Sequence, residues 1–272
     1  MKFNYGIRPS NAHTLEQLKT KKLFIFDIAG VLYKGKEVNE EIGGAAVIEK
    51  LRSEDKKIRF LTNSSTDNSA TIKEKLGKVG ILAYENEIVT SATVAPEYTF
   101  KKYGASKYYL IGEEILESEM SKKGHFRSEN GPVDFVLIGQ DSTLTTAKLD
   151  TAVRLVLNGA KIVACNLTRT FATKYGLSIS TGAIVKAVEY ATRKKAVVVG
   201  KPSNVMFRIA IGNNGVKVEN AVMIGDEVIA DILGAMRIGL DSVFVRSGVD
   251  RELPPDVLIP AINNVNDLLK FI

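Results

Sequence analysis

Residues 23–33 of the chain read LFIFDIAGVLY. An apolar run ends at Asp27, and Gly30 follows three residues later. Four apolar residues before a carboxylate are typical of a buried parallel strand, and the loop after such a strand is where ligands of open α/β sheets bind. An aspartate at this point can react with a substrate or hold a metal. The segment alone leaves a second interpretation open, in which Asp27 only caps the following turn.

Short apolar runs alternate with amphipathic stretches along most of the chain. Apolar residues recur at helical spacing in 39–53 and in 68–80, whereas eight other runs have the length of strands. This alternation predicts an α/β fold with parallel sheets and helical crossovers. The predicted strands are KKLFIFD, KKIRFLTN, SKYYLIG, VDFVLIG, GAKIVACN, KAVVVG, NAVMIGD and LDSVFVR.

The predicted strands fall into two groups. Residues with reactive side chains follow the first, second, sixth, seventh and eighth strands, but mostly not the third to fifth. All of these strands and their helices would crowd one compact unit. We therefore expect a discontinuous catalytic core, residues 1–83 and 182–272, interrupted by an inserted domain over 84–181.

Composition narrows the class of protein. The chain has 272 residues, 45% of them hydrophobic, which allows a substantial core. Its net charge is +6, but the basic residues are scattered among 31 acidic ones without a recognisable nucleic-acid-binding pattern, so we expect no nucleic-acid partner. No apolar run near the N-terminus has secretory or membrane-spanning length, so we expect no membrane partner and, by default, a cytoplasmic location.

Cysteine and histidine are too scarce for several kinds of site. Cys165 is the only cysteine, and its apolar surroundings predict that it packs as a small hydrophobic residue. His13 and His125 are the only histidines, and we expect both at the surface. A single cysteine excludes an internal disulfide and a metal site with several cysteine ligands. Two histidines leave few candidates for a histidine-based catalytic triad.

Two predicted strands are followed by groups that suit phosphate oxygens. Thr62, Asn63 and Ser64 follow the second strand, and Lys201 follows the sixth strand and a glycine. Hydroxyl, amide and ammonium groups at one sheet edge would bind an anion. Simpler interpretations stay open, because Asn63 and Ser64 can cap the next helix and Lys201 can be an ordinary exposed lysine.

The seventh strand is followed by two further carboxylates, Asp226 and Asp231. A helix beginning here would bring both toward the edge that carries Asp27. Three carboxylates without a soft ligand indicate a hard cation, and Mg²⁺ prefers carboxylates together with phosphate and water. Each aspartate alone can be a helix cap, but Asp, Thr, Lys and Asp-x4-Asp at successive strand ends favour a site.

In this order the motifs resemble those of the haloacid dehalogenase superfamily. The matching segments are FDIAGVLY, LTNSS, GKPS and GDEVIAD, which span the whole core. The insertion between the second and third motifs resembles the class with an α/β cap of the C2 type, which includes p-nitrophenyl phosphatases. DIAGVLY and GDEVIADILGAMRIG look most similar to the phospholysine phosphohistidine inorganic pyrophosphate phosphatase group. The resemblance implies a Rossmann-like core with an inserted cap domain.

The resemblance also implies an Mg²⁺-dependent phosphatase for a small phosphorylated substrate. Asp27 would attack phosphorus in line and form an aspartyl-phosphate that water hydrolyses. The implied metal ligands are Asp27, the backbone carbonyl of Ala29, Asp226 and Asp231, the last acting through water or by orienting Lys201. The implied phosphate-binding groups are Thr62, Lys201 and the amides around Ile28, Ala29 and Asn63.

Ala29 departs from the family pattern. Most phosphatases of the superfamily carry an aspartate two residues after the nucleophile, which protonates the leaving oxygen and later activates water. Alanine keeps the backbone carbonyl but removes general acid–base catalysis, typically worth about 10²–10⁴-fold. We therefore expect a preference for leaving groups that need little protonation, as in acyl phosphates, phosphoramidates, pyrophosphate or aryl phosphates.

Other interpretations of Ala29 stay open. The chain can be a catalytically weakened phosphate-binding or regulatory protein, or Ala29 can be an engineered replacement that traps a substrate. Phosphonoacetaldehyde hydrolase also has alanine here, but it needs a Schiff-base lysine from a helical cap, so we do not expect that reaction.

The inserted domain is expected to determine the substrate by covering the mouth of the core site. Asn166, Thr168 and Arg169 follow one of its predicted strands and are candidate substrate contacts. Arg169 would bind an anionic tail, unless it is an ordinary surface arginine. Thr168 stands where related phosphatases often have aspartate, so their specificity does not transfer directly. Caps of this class often support dimers, so the resemblance makes a homodimer possible.

Overall fold

The computed structural model describes residues 14–35, 38, 40–173, 175–212 and 215–272. These residues form two compact units. The first contains the described residues of Met1–Thr62, Ala70–Val89 and Lys201–Ile272, and the second those of Asn63–Ser69 and Thr90–Gly200. The predicted assignment of residues 84–181 to an inserted domain stays a prediction.

Strands and helices alternate through both units. The strands are β1 (Leu23–Asp27), β2 (Tyr33–Lys34), β3 (Glu40–Glu41), β4 (Lys57–Thr62), β5 (Ile88–Thr90), β6 (Lys107–Ile111), β7 (Phe126–Arg127), β8 (Phe135–Ile138), β9 (Lys161–Ala164), β10 (Thr170–Thr173), β11 (Gly176–Ile179), β12 (Val197–Val198), β13 (Ala221–Gly225), β14 (Asp241–Val245) and β15 (Ala261–Ile262). The α-helices are α1 (Ala45–Ser53), α2 (Ser69–Lys78), α3 (Ser91–Tyr103), α4 (Glu114–Lys122), α5 (Thr146–Leu157), α6 (Thr181–Thr192), α7 (Asn204–Ile211) and α8 (Gly234–Met236). Short 3₁₀ helices cover Leu15–Thr20, Glu85–Glu87, Val218–Asn220 and Val265–Lys270, and a π-helical turn covers Val228–Leu233.

The first unit is built on a six-stranded sheet in the order β15-β14-β13-β1-β4-β5. β1 pairs in parallel with both neighbours, so that Phe26 lies opposite Ile224 on one side and Phe60 on the other. All of β1 is buried, as expected for a parallel strand that is covered on both faces. Because β13 and β14 also run parallel to β1, the carboxyl ends of these strands lie at the same edge.

Helices are confirmed within both predicted stretches, but the first begins only at Ala45, because Glu40–Glu41 forms strand β3. α1 buries Val47, Ile48 and Leu51, and α2 buries Ile72 and Leu76. These side chains join one apolar cluster with residues of β1 and β4. Because burying one such side chain is worth about 1.5–3 kcal/mol, the apolar stripes are what hold the helices on the sheet.

The second unit is built on a five-stranded parallel sheet in the order β12-β9-β8-β6-β7. β10 and β11 form a separate antiparallel hairpin. The predicted α/β fold with parallel sheets is therefore confirmed. One strand is differently placed: KAVVVG was expected in the sheet that carries Asp27, but Val197 and Val198 pair with Val163 and Ala164 of β9.

The side chain of His125 corrects the expectation of a surface position. His125 is only 3% exposed and packs edge-on against the rings of Tyr108 and Phe135. Its Nε2 lies 3.0 Å from Thr99 Oγ1. The residues around His125 are largely exposed, including the apolar Phe126, while the imidazole turns inward. His13 lies outside the described residues.

Two further expectations from composition can be compared with the structure. Cys165 is buried, as predicted, and burial raises the pKa of its thiol to about 12. Across the described ranges, no helix has the length and apolar character needed to cross a membrane.

Burial of His125 predicts a pH-dependent stability. Burial lowers the pKa of its imidazole below the ordinary value of 6.5, so the unfolded chain takes up a proton before the folded chain does. The free energy of unfolding should therefore fall as the pH drops through about 6.5. Urea unfolding at about pH 7.5 and about pH 5.5 measures this, and His125→Phe should show a smaller decrease between the two conditions. An equal decrease in both proteins would contradict the prediction.

Candidate active site

Three aspartates converge at the carboxyl edge of the first unit's sheet. Asp27 ends β1, Asp226 follows β13, and Asp231 lies in the π-helical turn that comes next. Each offers a carboxylate oxygen, and these oxygens lie within 4.8 Å of one another. All three residues are buried. The structure therefore brings together the carboxylates that the sequence motifs predicted.

Lys201 lies inside this acidic cluster. Its ammonium group donates a short hydrogen bond to Asp27 Oδ1 and pairs with Asp231 Oδ1 at 2.7 Å. The Leu61 carbonyl, one residue before Thr62, lies 3.4 Å away. Lys201 is 4% exposed, which excludes the simpler interpretation of an ordinary surface lysine.

Burial and mutual repulsion shift the protonation of the cluster. Burial, with the charges of Asp27 and Asp231, raises the pKa of Asp226 to about 9. Burial also raises the pKa of Asp231 to about 7, although the lysine opposes this shift. For Lys201, burial lowers the pKa, but the charges of Asp231 and Asp27 outweigh burial and raise it overall. The lysine is therefore a fixed positive charge rather than a proton carrier.

The donor set fits a hard cation. Asp226 Oδ1 is buried, and within the part of the chain that the structure describes it has no hydrogen-bond partner. Such an atom is costly unless something compensates it. Carboxylate oxygens are the ligands that Mg²⁺ prefers. Asp231 differs, because Lys201 and the backbone N–H of Glu227 already engage its two oxygens.

The loop after β14 contributes residues that sequence reasoning missed. The Val249 N–H donates to Asp226 Oδ2 at 2.6 Å, and the Ser247 hydroxyl donates to the Gly30 carbonyl at 2.7 Å. Asp250 accepts from the Val228 N–H at 2.7 Å, where the π-helical turn begins. The available signal was SGVD directly after a predicted strand.

Glycines leave room for the buried carboxylates. A Cβ added at Gly248 would overlap the Asp226 carboxylate, and one at Gly30 would lie 2.8 Å from Asp226 Cγ. A Cβ at Gly225 would lie 2.5 Å from Asp231 Cγ. Gly30 also has a φ of +92°, in the left-handed region that favours glycine. The glycines around the motifs are therefore spatial requirements of the acidic cluster.

The predicted residues of the segment after Asp27 have different environments. Ile28 is 1% exposed and packs in the apolar cluster of the first unit, and its carbonyl accepts the Leu32 N–H at 2.9 Å. Ala29 is exposed at the start of the turn. Thr62 ends β4, the neighbour of β1, and is buried.

The remaining predicted residues lie in the second unit. Asn166 is buried and donates through Nδ2 to the Asn63 carbonyl at 2.7 Å. The Thr168 N–H donates to Asn166 Oδ1 at 3.0 Å. Arg169 is exposed, and its carbonyl accepts the Ser180 N–H. The structure thus joins Asn63 to Asn166 and Asn166 to Thr168. A phosphate-binding role for Asn63 stays a prediction, as does substrate contact by Asn166, Thr168 and Arg169.

Comparisons with known proteins identify the family to which this fold and acidic site belong. A family model described as haloacid dehalogenase-like hydrolase matches residues 24–125, and a second, HAD-hydrolase-like model matches residues 198–265. Sugar-phosphatase AraL of Bacillus subtilis is 32% identical over 251 residues, which cover 90% of this chain and 92% of that protein. The chain belongs to the haloacid dehalogenase-like hydrolase family.

Other relatives agree with this assignment. An acid sugar phosphatase of Staphylococcus saprophyticus is 29% identical over 256 residues, covering 91% of this chain and 98% of its own. The structure of a p-nitrophenyl phosphatase from Archaeoglobus fulgidus superposes with a TM-score of 0.85 at 28% identity, covering 93% of this chain and 99% of that one. The predicted phosphatase class is confirmed, whereas the closer likeness to phospholysine phosphohistidine inorganic pyrophosphate phosphatase is not.

Crowding around Asp226 predicts that Gly248 cannot be enlarged. Gly248→Ala should lower the free energy of unfolding by about 1–3 kcal/mol, because the new methyl group overlaps a buried carboxylate. Gly77→Ala is the matched control: Gly77 is exposed in α2 with open space around it, so this change should raise stability by about 0.5–1 kcal/mol. Urea unfolding measures both, and equal effects would contradict the prediction.

Proposed function

We propose that the chain hydrolyses a small phosphorylated metabolite in an Mg²⁺-dependent reaction that passes through an aspartyl-phosphate on Asp27. The observation that carries this proposal is the cluster of Asp27, Asp226 and Asp231, whose oxygens lie within 4.8 Å of one another around one buried lysine. Fixed charges at the point where a phosphoryl group is transferred are what this reaction requires of a protein.

Asp27 is the proposed nucleophile. One carboxylate oxygen attacks phosphorus while the bond from phosphorus to the leaving oxygen or nitrogen breaks. A water molecule then attacks phosphorus, and the bond from phosphorus to the Asp27 oxygen breaks. Inorganic phosphate leaves with the protons of the water, and the carboxylate is restored. The hydrogen bond from Lys201 to Asp27 Oδ1 orients the group before the reaction.

Lys201 and Asp231 form a charge pair with separate tasks. Lys201 remains an ammonium group because the carboxylates raise its pKa, so it stabilises negative charge on the phosphoryl oxygens. Asp231 is held by the Glu227 N–H at 3.1 Å and by Lys201. It therefore orients the lysine, which is one of the two roles implied by the family resemblance.

The proposed magnesium ligands are Asp27, Asp226 and the backbone carbonyl of Ala29, with Asp231 as a more distant support. Asp226 suits this role because its Oδ1 lacks a hydrogen-bond partner among the described residues, while the Val249 N–H fixes its Oδ2. Bound Mg²⁺ would offset the charge of the carboxylates and of the phosphoryl group.

The proposed phosphate-binding groups are hydroxyl, ammonium and amide donors. The Thr62 hydroxyl and the Lys201 ammonium group come from the first unit. The remaining donors are the amides around Ile28, Ala29 and Asn63, as the motifs FDIAGVLY and LTNSS suggest.

Ala29 sets the proposed substrate preference. It lies two residues after the nucleophile and offers no proton to a departing oxygen. Substrates whose leaving groups need little protonation should react best, and the p-nitrophenyl phosphatase of Archaeoglobus fulgidus carries such a substrate in its name. The names of the sugar phosphatases extend the class to sugar phosphates, whose alkoxide leaving groups should react more slowly here.

The exposed alanine also favours a second candidate function. A chain that keeps the acidic cluster but lacks the proton donor would serve as a phosphate-ligand-binding or regulatory protein. Turnover and binding measurements separate this candidate from the enzyme.

Hydrolysis of a substrate panel at one pH tests the proposed function. The panel contains p-nitrophenyl phosphate, acetyl phosphate, phosphoramidate, pyrophosphate and a sugar phosphate, each with Mg²⁺ and with EDTA. We expect Mg²⁺-dependent release of phosphate, fastest for the good leaving groups, and its loss in Asp27→Asn. Absence of turnover on every substrate, together with calorimetric binding of phosphate, would favour the binding protein instead.

Restoring an acid beside the nucleophile tests the leaving-group argument. Ala29→Asp should raise kcat on the sugar phosphate by up to about 10²–10⁴-fold, since general acid catalysis is worth this much when protonation is difficult. Ala29→Asn is the matched control, because it has nearly the same shape without a transferable proton. Parallel rate measurements on acetyl phosphate should show a much smaller gain, and an equal gain would contradict the argument.

A further inference from the structure

The Asn63 carbonyl receives two side-chain donors inside the second unit. Asn166 Nδ2 lies 2.7 Å from this oxygen, and Ser91 Oγ lies 2.9 Å from it and 2.8 Å from the Ser64 carbonyl. Ser91 is fully buried and Asn166 is 4% exposed. Ser91 begins α3 and Asn166 follows β9, so two distant elements hold the same peptide group.

The side chain of Asn166 is itself oriented. Its Oδ1 accepts the Thr168 N–H at 3.0 Å while its Nδ2 donates to Asn63. The two ends of the amide differ chemically, so this pair of contacts fixes which end faces Asn63. Both polar atoms of the Asn166 side chain therefore already have partners within the second unit, as a structural role requires.

The end of β9 holds a second segment through its backbone. The Cys165 carbonyl accepts the Gly200 N–H at 2.9 Å. A Cβ added at Gly200 would lie 2.2 Å from the Cys165 carbonyl oxygen and 2.6 Å from Asn63 Oδ1, so only glycine fits beside both groups. Asn63 directly follows Thr62 in the chain, and Gly200 directly precedes Lys201. Cys165 and Asn166, which follow β9, thus bind Gly200 and Asn63. These two residues are the chain neighbours of Lys201 and Thr62, two of the proposed phosphate-binding residues.

We propose that Asn166, together with Ser91, is a positioning residue for the phosphate-binding segment at Thr62–Asn63, and not a contact to the leaving group of the substrate. The inference rests on the proposed function, because it assigns Asn166 a task at the same site. A peptide group is planar, so holding the Asn63 carbonyl also fixes the Ser64 N–H of the same peptide, one of the amides around Asn63. The clamp, defined as Asn63, Ser91 and Asn166, presets donors that would otherwise need ordering when phosphate binds.

Asn166→Asp tests the clamp with a minimal change. Ionised aspartate keeps an oxygen for the Thr168 N–H but has no N–H for the Asn63 carbonyl, so it removes that contact and places a negative charge against the carbonyl oxygen. Ser91→Ala removes the other donor and decides the question if the first variant folds poorly. Asn158→Asp, at an exposed position that follows α5, is the control for the added charge.

Three readouts separate positioning from direct contact and from misfolding. They are calorimetric binding of inorganic phosphate with Mg²⁺, kcat/KM on both p-nitrophenyl phosphate and a sugar phosphate, and the thermal unfolding midpoint. Asn166→Asp and Ser91→Ala should each weaken phosphate binding and lower kcat/KM by about tenfold, equally for both substrates, because a buried carbonyl loses a partner. Asn158→Asp should change neither quantity.

Each alternative outcome has a distinct meaning. Unchanged phosphate binding in both folded clamp variants would overturn the inference, and a loss confined to the sugar phosphate would overturn it in favour of direct leaving-group contact. If the unmodified protein binds phosphate without turnover, the proposed hydrolysis fails while the binding comparison still decides the inference. If the unmodified protein does not bind phosphate, the inference is overturned together with the site.

Discussion

The ion cluster around Lys201 is the interaction on which the site depends. Removing charges from water is costly, and a buried pair is tolerated only when its geometry and hydrogen bonds are good. Here the ammonium group meets Asp27 from β1 and Asp231 from the turn after β13. The strand ends must therefore stay in register, because losing either partner would leave an uncompensated charge inside the protein. Backbone N–H groups of Glu227 and Val249 donate to Asp231 and Asp226. The backbone around the motifs is therefore placed where it stabilises the buried charges.

Much of this arrangement was predictable because strand ends carry strong signals. A buried parallel strand reads as an apolar run, and the residue that ends it is then conspicuous, as Asp27, Thr62 and Asp226 are. Other parts were not predictable. The loop at Ser247–Asp250 bonds to Gly30, Asp226 and Val228, and local residue types do not display which distant groups a loop will meet. His125 turns inward from a polar stretch, and Val197–Val198 pairs with β9 because ladder partners are chosen by tertiary packing rather than by local pattern.

Similarity to known proteins supports the family of this chain, whereas the contacts of single residues support their proposed roles. Similarity to named phosphatases over about nine-tenths of the chain shows the family and the reaction class. The roles proposed for Ala29 and for the segment after β9 rest instead on the motif resemblance and on the contacts of the site. Within the second unit the Asn166 amide joins the Asn63 carbonyl to the Thr168 N–H, contacts that do not involve a leaving group.

The glycines at the acidic cluster have a consequence for how this site can be altered. On the side of Gly30, Gly225 and Gly248, even one methyl group has no space beside the carboxylates. Ala29, by contrast, is exposed. An added methyl group would therefore overlap a carboxylate at each of the three glycines, whereas the side chain at position 29 is exposed. A larger side chain is therefore easier to introduce at position 29 than at positions 30, 225 or 248.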